Sequence, residues 1–327
     1  MSGNPARSAG RQAKHPHKSL RRAEWLALLV IFGLATALRI AYALSSRQSP
    51  LFDQLDLDSR FYDLWAKRIA GGDWIGDEVF FMGPLYPYFL AVIYAIAGPN
   101  LLLVKLIQSV IGGLTAVFTF LLGRECFNST VGLIAGCFVA FYVPFIFYDN
   151  SILFPVLAAL LNTVMLYMLC RGVSRRERMA FLVAGIFCGL SAAGNASVLA
   201  YTPFVAAFLL LRGKGVIATR VAHVLVFALG IAMVVMPITI RNYVVGHDFV
   251  PLTSNAGLNL FIGNNPRSTG AYVKPESLDV YTDPAGRTIA EAAAGRRLKP
   301  SEVSAYWMDR AMQFVRARPR QFLMNLA

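Results

Sequence analysis

Seven acidic residues crowd one short stretch of this chain. Asp53, Asp56, Asp58, Asp63, Asp73, Asp77 and Glu78 fall within residues 45–83, against four bases. The densest part reads Phe52-Asp53-Gln54-Leu55-Asp56-Leu57-Asp58-Ser59-Arg60-Phe61-Tyr62. Carboxylates held at a surface can act as a general base or as metal ligands; the plainer reading is a solvated acidic loop. A second set of residues is cationic or polar. Arg39, Lys105, Asp149, Asn150, Asn195 and Arg241 each lie near the end of an apolar run. Charge at membrane depth is costly and usually faces a protein interior or a watery cavity. Arg39, Lys105 and Arg241 have the chemistry to meet a phosphate, or they could snorkel to the interface.

The apolar runs dominate the rest of the chain. Of 327 residues, 56% are hydrophobic and 15% charged, with a mean hydropathy of +0.53. Soluble domains carry about 25% charged residues, so an all-α, polytopic transmembrane protein is expected. A crossing helix needs about 20 apolar residues. Candidates are 25–44, 84–98, 101–123, 131–148, 151–170, 179–193, 197–211 and 220–240. Basic residues mark cytoplasmic loops. The tail 1–23, with Arg7, Arg11, Lys14, Lys18, Arg21 and Arg22, is therefore expected inside, as are loops 171–178 and 212–220. That parity holds only if one of the first five runs does not cross. The run 84–98 begins with Pro84 and Pro87, is aromatic, and would be roughly 22 Å long as a helix; it is expected to lie along the interface. Seven crossings result within a core of 24–240.

Two large extracytoplasmic loops, 45–83 and 241–320, then share the outer face with the acidic cluster. Each should hold a juxtamembrane helix. In the second loop, Val303, Tyr306, Trp307, Ala311, Phe314 and Val315 recur at helical spacing over 301–317, with Ser301 as N-cap and a face suited to the membrane. Residues 321–327 read as the start of a further membrane segment, truncated. The net charge of +13 is thus a topology signal, and nucleic acid is not an expected partner. Cys126, Cys137, Cys170 and Cys188 show neither disulfide nor zinc spacing. Gly112-Gly113 suits close helix packing.

These residues resemble a known group, the GT-C superfamily of membrane glycosyltransferases, near the protein O-mannosyltransferases and the bacterial lipid A aminoarabinose transferases. The likeness runs through Arg39, Asp58-Ser59-Arg60-Phe61-Tyr62, Gly72-Asp73-Trp74, Gly83-Pro84-Leu85-Tyr86-Pro87, Gln108, Gly123-Arg124, and Gly257 to Pro266. It implies a GT-C-like core in a bacterial inner membrane and a polyprenyl-phosphate-sugar donor. The acceptor would be a lipid, glycan or protein, with membrane lipids as further partners. Transfer would be inverting and extracytoplasmic. Asp58 matches the family's catalytic acid and would be the general base. Many members have Asp-Glu there; this chain has Leu57-Asp58, with Asp56 in reserve. Arg39, Lys105 and Arg241 would meet the donor phosphate. Tyr62, Asp149, Asn259 and Asn264 are expected beside the substrate, although Phe154 occupies what is often a second acidic position. Family members differ in metal dependence, so a divalent metal stays open as a cofactor. A transporter or flippase would instead show inverted repeats and mid-membrane charges, and neither is visible. A non-catalytic scaffold or fragment is the remaining alternative.

Overall fold

A computed structural model describes residues 20–213, 215–269, 278–279 and 281–325. Arg7, Arg11, Lys14, Lys18, Lys214 and the last two residues of the final apolar segment lie outside them. Among the described residues the chain is all helix, with no strand, and it is a polytopic membrane protein. Four helices are long and apolar enough to cross: α1 (Arg22–Ser46), α4 (Leu101–Cys126), α7 (Pro155–Arg175) and α10 (Ile217–Gly246). At 1.5 Å per residue the shortest, α7, spans about 32 Å, enough for a hydrocarbon core of about 30 Å.

The other elements are shorter or broken, each for a local reason. Helix α2 (Leu57–Ala70) follows α1, and α3 (Leu85–Ala97) follows α2. Helix α3 spans about 20 Å, too little to cross upright. It buries Tyr86, Leu90, Ile93 and Tyr94 against Tyr62, Ala66 and Ile69 of α2. Helices α5 (Ser129–Phe141) and α6 (Val143–Asp149) are long and apolar enough to cross only as a pair, and they are bent by 57° where they join. Tyr142 is extended at the bend, and Pro144 sits in the first turn of α6. Proline has no N–H to give the carbonyl four residues back, so helix α5 cannot run through. Helix α8 (Arg178–Gly194) ends at Asn195, whose side-chain oxygen caps Ser197 N at 3.1 Å. A 3-10 turn over 196–201 and α9 (Thr202–Arg212) return the chain.

The helix ends gather at two levels. At one, Arg124 donates to Glu24 Oε1 at 3.0 Å, Ser129 Oγ donates to Glu24, and Arg175 pairs with Glu125 at 3.0 Å. At the other lie α2, α3 and the loop that follows α10. That loop builds a small core of its own from α11 (Ala256–Gly263), α12 (Arg287–Ala294) and α13 (Pro300–Ala317); α14 (Pro319–Asn325) follows. Val303 and Trp307 of α13 pack with Leu258, Leu278 and Ala290. The amphipathic face expected against the membrane is therefore spent on protein. The N-cap is Lys299 rather than Ser301, because Pro300 takes the first helical position. Ser301 instead donates through N and Oγ to Asp248 at 2.7 and 2.6 Å.

Helices α4 and α7 run parallel, their C-terminal ends meeting where Arg175 pairs with Glu125 and Cys126 Sγ meets Cys170 Sγ at 2.8 Å. With Cys137 and Cys188 replaced by serine, copper-phenanthroline oxidation should join Cys126 to Cys170 within one chain. Peptide mapping that finds both thiols still free after oxidation would contradict this packing.

Candidate active site

The N-terminus of α2 sorts the acidic cluster. Asp56 is its N-cap, accepting from Leu57 N at 2.9 Å, as carboxylates do at the positive end of a helix. Tyr281, from the second loop, donates to the same oxygen at 2.5 Å. The Tyr281 hydrogen bond, then the Leu57 N–H, hold the Asp56 carboxyl below the usual carboxylate range. Asp58 sits two residues on, in the first turn. Asp58 is exposed, and partial desolvation by the surrounding protein pushes its pKa up. Two neighbouring carboxyls are thus driven apart, one fixed as an anion and the other made more basic. Leu57 between them has φ +47°, a conformation that costs a bulky residue about 1–3 kcal/mol. Strain of this kind concentrates where geometry serves a site.

Tyr62 lies one turn beyond Asp58 on the same face. It is buried, and burial first, then the Asp58 charge, raises its pKa. Its ring meets the Tyr86 ring edge-on at 5.2 Å. From there a buried polar chain runs inward. Tyr86 OH donates to Gln108 Oε1 at 2.6 Å. Gln108 Nε2 donates to the carbonyls of Asp149 and Ser151, both at 2.8 Å. Asp149 Oδ2 accepts from Arg39 Nε at 2.7 Å. Arg39 is 0% exposed and Asp149 4%. Arg39 also donates to the carbonyls of Val139 and Ala140, each at 3.3 Å. These are carbonyls left over where α5 breaks before Pro144. A Cβ on Gly112 would stand 2.3 Å from both Arg39 Nε and Asp149 Oδ2. Glycine at 112 is what lets α4 pass the pair. Arg39 and Asp149, expected to face donor phosphate and substrate respectively, are each other's partners.

The other predicted residues are more scattered. Lys105 is 7% exposed, with Nζ 3.5 Å from the centre of the Phe52 ring and 3.4 Å from the Phe52 carbonyl. Arg241 donates to Ile75 O at 2.7 Å and Glu78 O at 2.5 Å, and lies 3.9 Å over the Phe80 ring. It ties the first outer loop to the end of α10. Asn242, which sequence reasoning passed over, does the same from full burial: it accepts from Phe80 N at 3.3 Å and donates to Val250 O and Leu252 O, both at 3.0 Å. Asn259 is an exposed residue on α11, and Asn264 Nδ2 donates to Leu260 O at 2.9 Å. The described residues hold no cluster of three His, Cys, Asp or Glu side chains fit to cage a metal. Asp56 and Asp58 alone make an incomplete donor set.

Residues 82–240, just under half of the chain, match the family model for dolichyl-phosphate-mannose-protein mannosyltransferase. Over that stretch, which holds most of its apolar multi-pass helices, the chain is similar to membrane glycosyltransferases of the GT-C type. The matched stretch carries Tyr86, Lys105, Gln108 and Asp149 but starts after Asp58. No curated protein matches the chain significantly.

The buried pair yields a two-part prediction. Arg39→Leu should lower stability by about 3–5 kcal/mol, because Asp149 is left charged and unpaired. Arg39→Leu with Asp149→Leu should recover a large part of that loss. Thermal melting in detergent compares them; a double variant no more stable than the single would show that the pair is not the governing contact.

Proposed function

We propose that this protein transfers a sugar from a polyprenyl-phosphate-sugar donor to an acceptor hydroxyl, with inversion, and with Asp58 as general base. The observation that carries the reading is the geometry at the strained start of α2, where Asp56 is engaged by Leu57 N and Tyr281 OH while Asp58 stands exposed in the first turn. A carboxylate whose pKa is raised towards the working pH is the better proton acceptor. The acceptor O–H proton passes to an Asp58 carboxylate oxygen as the acceptor oxygen forms its bond to the anomeric carbon. The bond from the anomeric carbon to the phosphate oxygen breaks, and polyprenyl phosphate departs with the electron pair. Phosphate leaves well without strong acid assistance.

Its negative charge needs a cation. Arg39 is occupied by Asp149, and Arg241 by the carbonyls of the first loop. Lys105 has no carboxylate within ion-pair distance among the described residues, and it stands at the start of α4. It is the cation assigned to the departing phosphate, with the other two shaping the site. Tyr62, Asp149, Asn259 and Asn264 remain the substrate-side candidates, Asp149 through the Gln108 and Tyr86 chain. The basic amino-terminal tail would be cytoplasmic, and the α2 face would open to the extracytoplasmic side of a bacterial inner membrane. Charge bias between loops supports that orientation.

Membranes carrying the full-length protein, supplied with labelled polyprenyl-phosphate sugars, test the reaction directly. Asp58→Asn should reduce transfer by about 10²–10⁴-fold, and Asp56→Asn much less, since asparagine also caps helices. Transfer that survives both substitutions together would remove the aspartate base. The Asp58→Asn variant should melt no lower than wild type at neutral pH. The folded-state pKa of Asp58 is raised, so its ionised form is a cost to folding above that value, and the amide escapes it. For the same reason the acid limb of the kcat/KM profile should lie above the ordinary aspartate value of about 3.9. A limb at or below that value would exclude Asp58 as the titrating base.

A further inference from the structure

The back of α2 carries a second feature. Asp58 and Tyr62 occupy one face of this helix; Arg60, Leu64 and Lys67, at i, i+4 and i+7, occupy the opposite one. Between that opposite face, the end of α1 and the start of α4 lies an open cavity of about 720 Å³. Arg47, Arg60 and Lys67 line it, with Leu64, Leu101 and Leu102 supplying apolar wall. The acids in the lining are largely spoken for. Asp63 accepts from Lys67 Nζ at 2.7 Å and from Tyr94 OH at 2.8 Å, and Asp53 lies within electrostatic reach of Lys105. The Arg47 side chain makes no hydrogen bond or ion pair among the described residues. Arg60 has its guanidinium 5.5 Å from the Tyr281 ring and no carboxylate within ion-pair distance among the described residues. Arg47 and Arg60 therefore line the cavity without an ion-pair partner among the described residues, with Asp53 in the same lining and Asp56 within electrostatic reach of Arg60, and guanidinium is the side chain best matched to phosphate oxygens. The apolar component is exposed too: Leu64 is 53% accessible, on the same face as the cations. A helix that shows leucine and long cations together, beside the end of a membrane span, suits the boundary between headgroups and acyl chains.

We propose that this cavity, which lies on the face of α2 opposite Asp58 and borders Lys105 through Phe52, is a binding site for the phosphate group of a membrane lipid. Arg47 and Arg60 hold the phosphate oxygens, and Leu64, Leu101 and Leu102 run along the start of the acyl or prenyl chain. The site does not rest on the assignment of Asp58, and its test reads binding rather than transfer. The full chain would be purified and its lipid retention followed by native mass spectrometry, with phosphatidylglycerol and phosphatidylethanolamine as probes. Phosphatidylglycerol should be retained preferentially, and Arg47→Gln with Arg60→Gln should weaken its retention about tenfold. Leu64→Asp, which places a like charge at an exposed position and keeps both arginines, should weaken it similarly. A polyprenyl phosphate that displaces phosphatidylglycerol with the same sensitivity to these variants would support the site and name the lipid. Inorganic phosphate at millimolar concentration should not displace the lipid; if it does, the lipid assignment is wrong. Unchanged phosphatidylglycerol retention in both variants would overturn the site altogether.

Discussion

A single guanidinium holds together the membrane half of this protein that lies under the candidate site. Arg39 bonds the carboxylate at the end of α6 and the carbonyls exposed where α5 breaks. It donates as well to Ala35 O of its own helix, at 3.0 Å. In a soluble protein those carbonyls could turn to water. In a bilayer each unsatisfied group costs several kcal/mol, so the break before Pro144 is tolerable only with a donor in place. The requirement runs in both directions, since a buried arginine with no anion would be equally unfavourable. Arg39, Asp149, Pro144 and Gly112 therefore form one unit. Three supply matched chemistry, and the fourth supplies the room.

From that unit, order passes outward to the chemistry. Asp149 and Ser151 offer carbonyls to Gln108, Gln108 orients Tyr86, and Tyr86 packs on Tyr62 beneath Asp58. The opposite level has its own polar knot, in which Glu24 joins the starts of α1 and α5 to the end of α4. Helices α1 and α4 are thus tied at both ends, while their middles are joined by apolar packing such as Ile31, Ala35, Ala116 and Phe120. This arrangement suits a membrane interior, where hydrophobic burial gives little drive for one helix to choose another.

Much of this architecture is legible in the chain because a bilayer imposes a length on every span. The long apolar runs, the break at Gly194-Asn195 and the shortness of 84–98 all follow from hydropathy, proline and glycine. The acidic stretch and the end-of-helix cations stand out for the same reason, as exceptions in a greasy background. What hydropathy does not carry is pairing. Arg39 and Asp149 are 110 residues apart, and nothing in their spacing distinguishes two ligands for a substrate from two ligands for each other. Gln108 and Asn242 look like ordinary polar residues until their partners are known. The choice between Asp56 and Asp58 depends on which one starts a helix, and cap positions are set within a residue or two. Helix α11 is not legible in residues 256–263, because it is short and is held by α13 rather than by its own propensity.

The tie between Arg241 and the first outer loop has a consequence for biogenesis. Ile75 and its anchoring guanidinium are 166 residues apart in the chain. At about 5–20 residues per second, the loop would wait roughly 10–30 s before Arg241 is made. Tyr281, which fixes Asp56, arrives later still. During that interval α2 stands at the membrane without its cover, and the two aspartates are not yet differentiated by their surroundings. Maturation of the reactive end is therefore a late event, timed by completion of α10 and the loop that follows it.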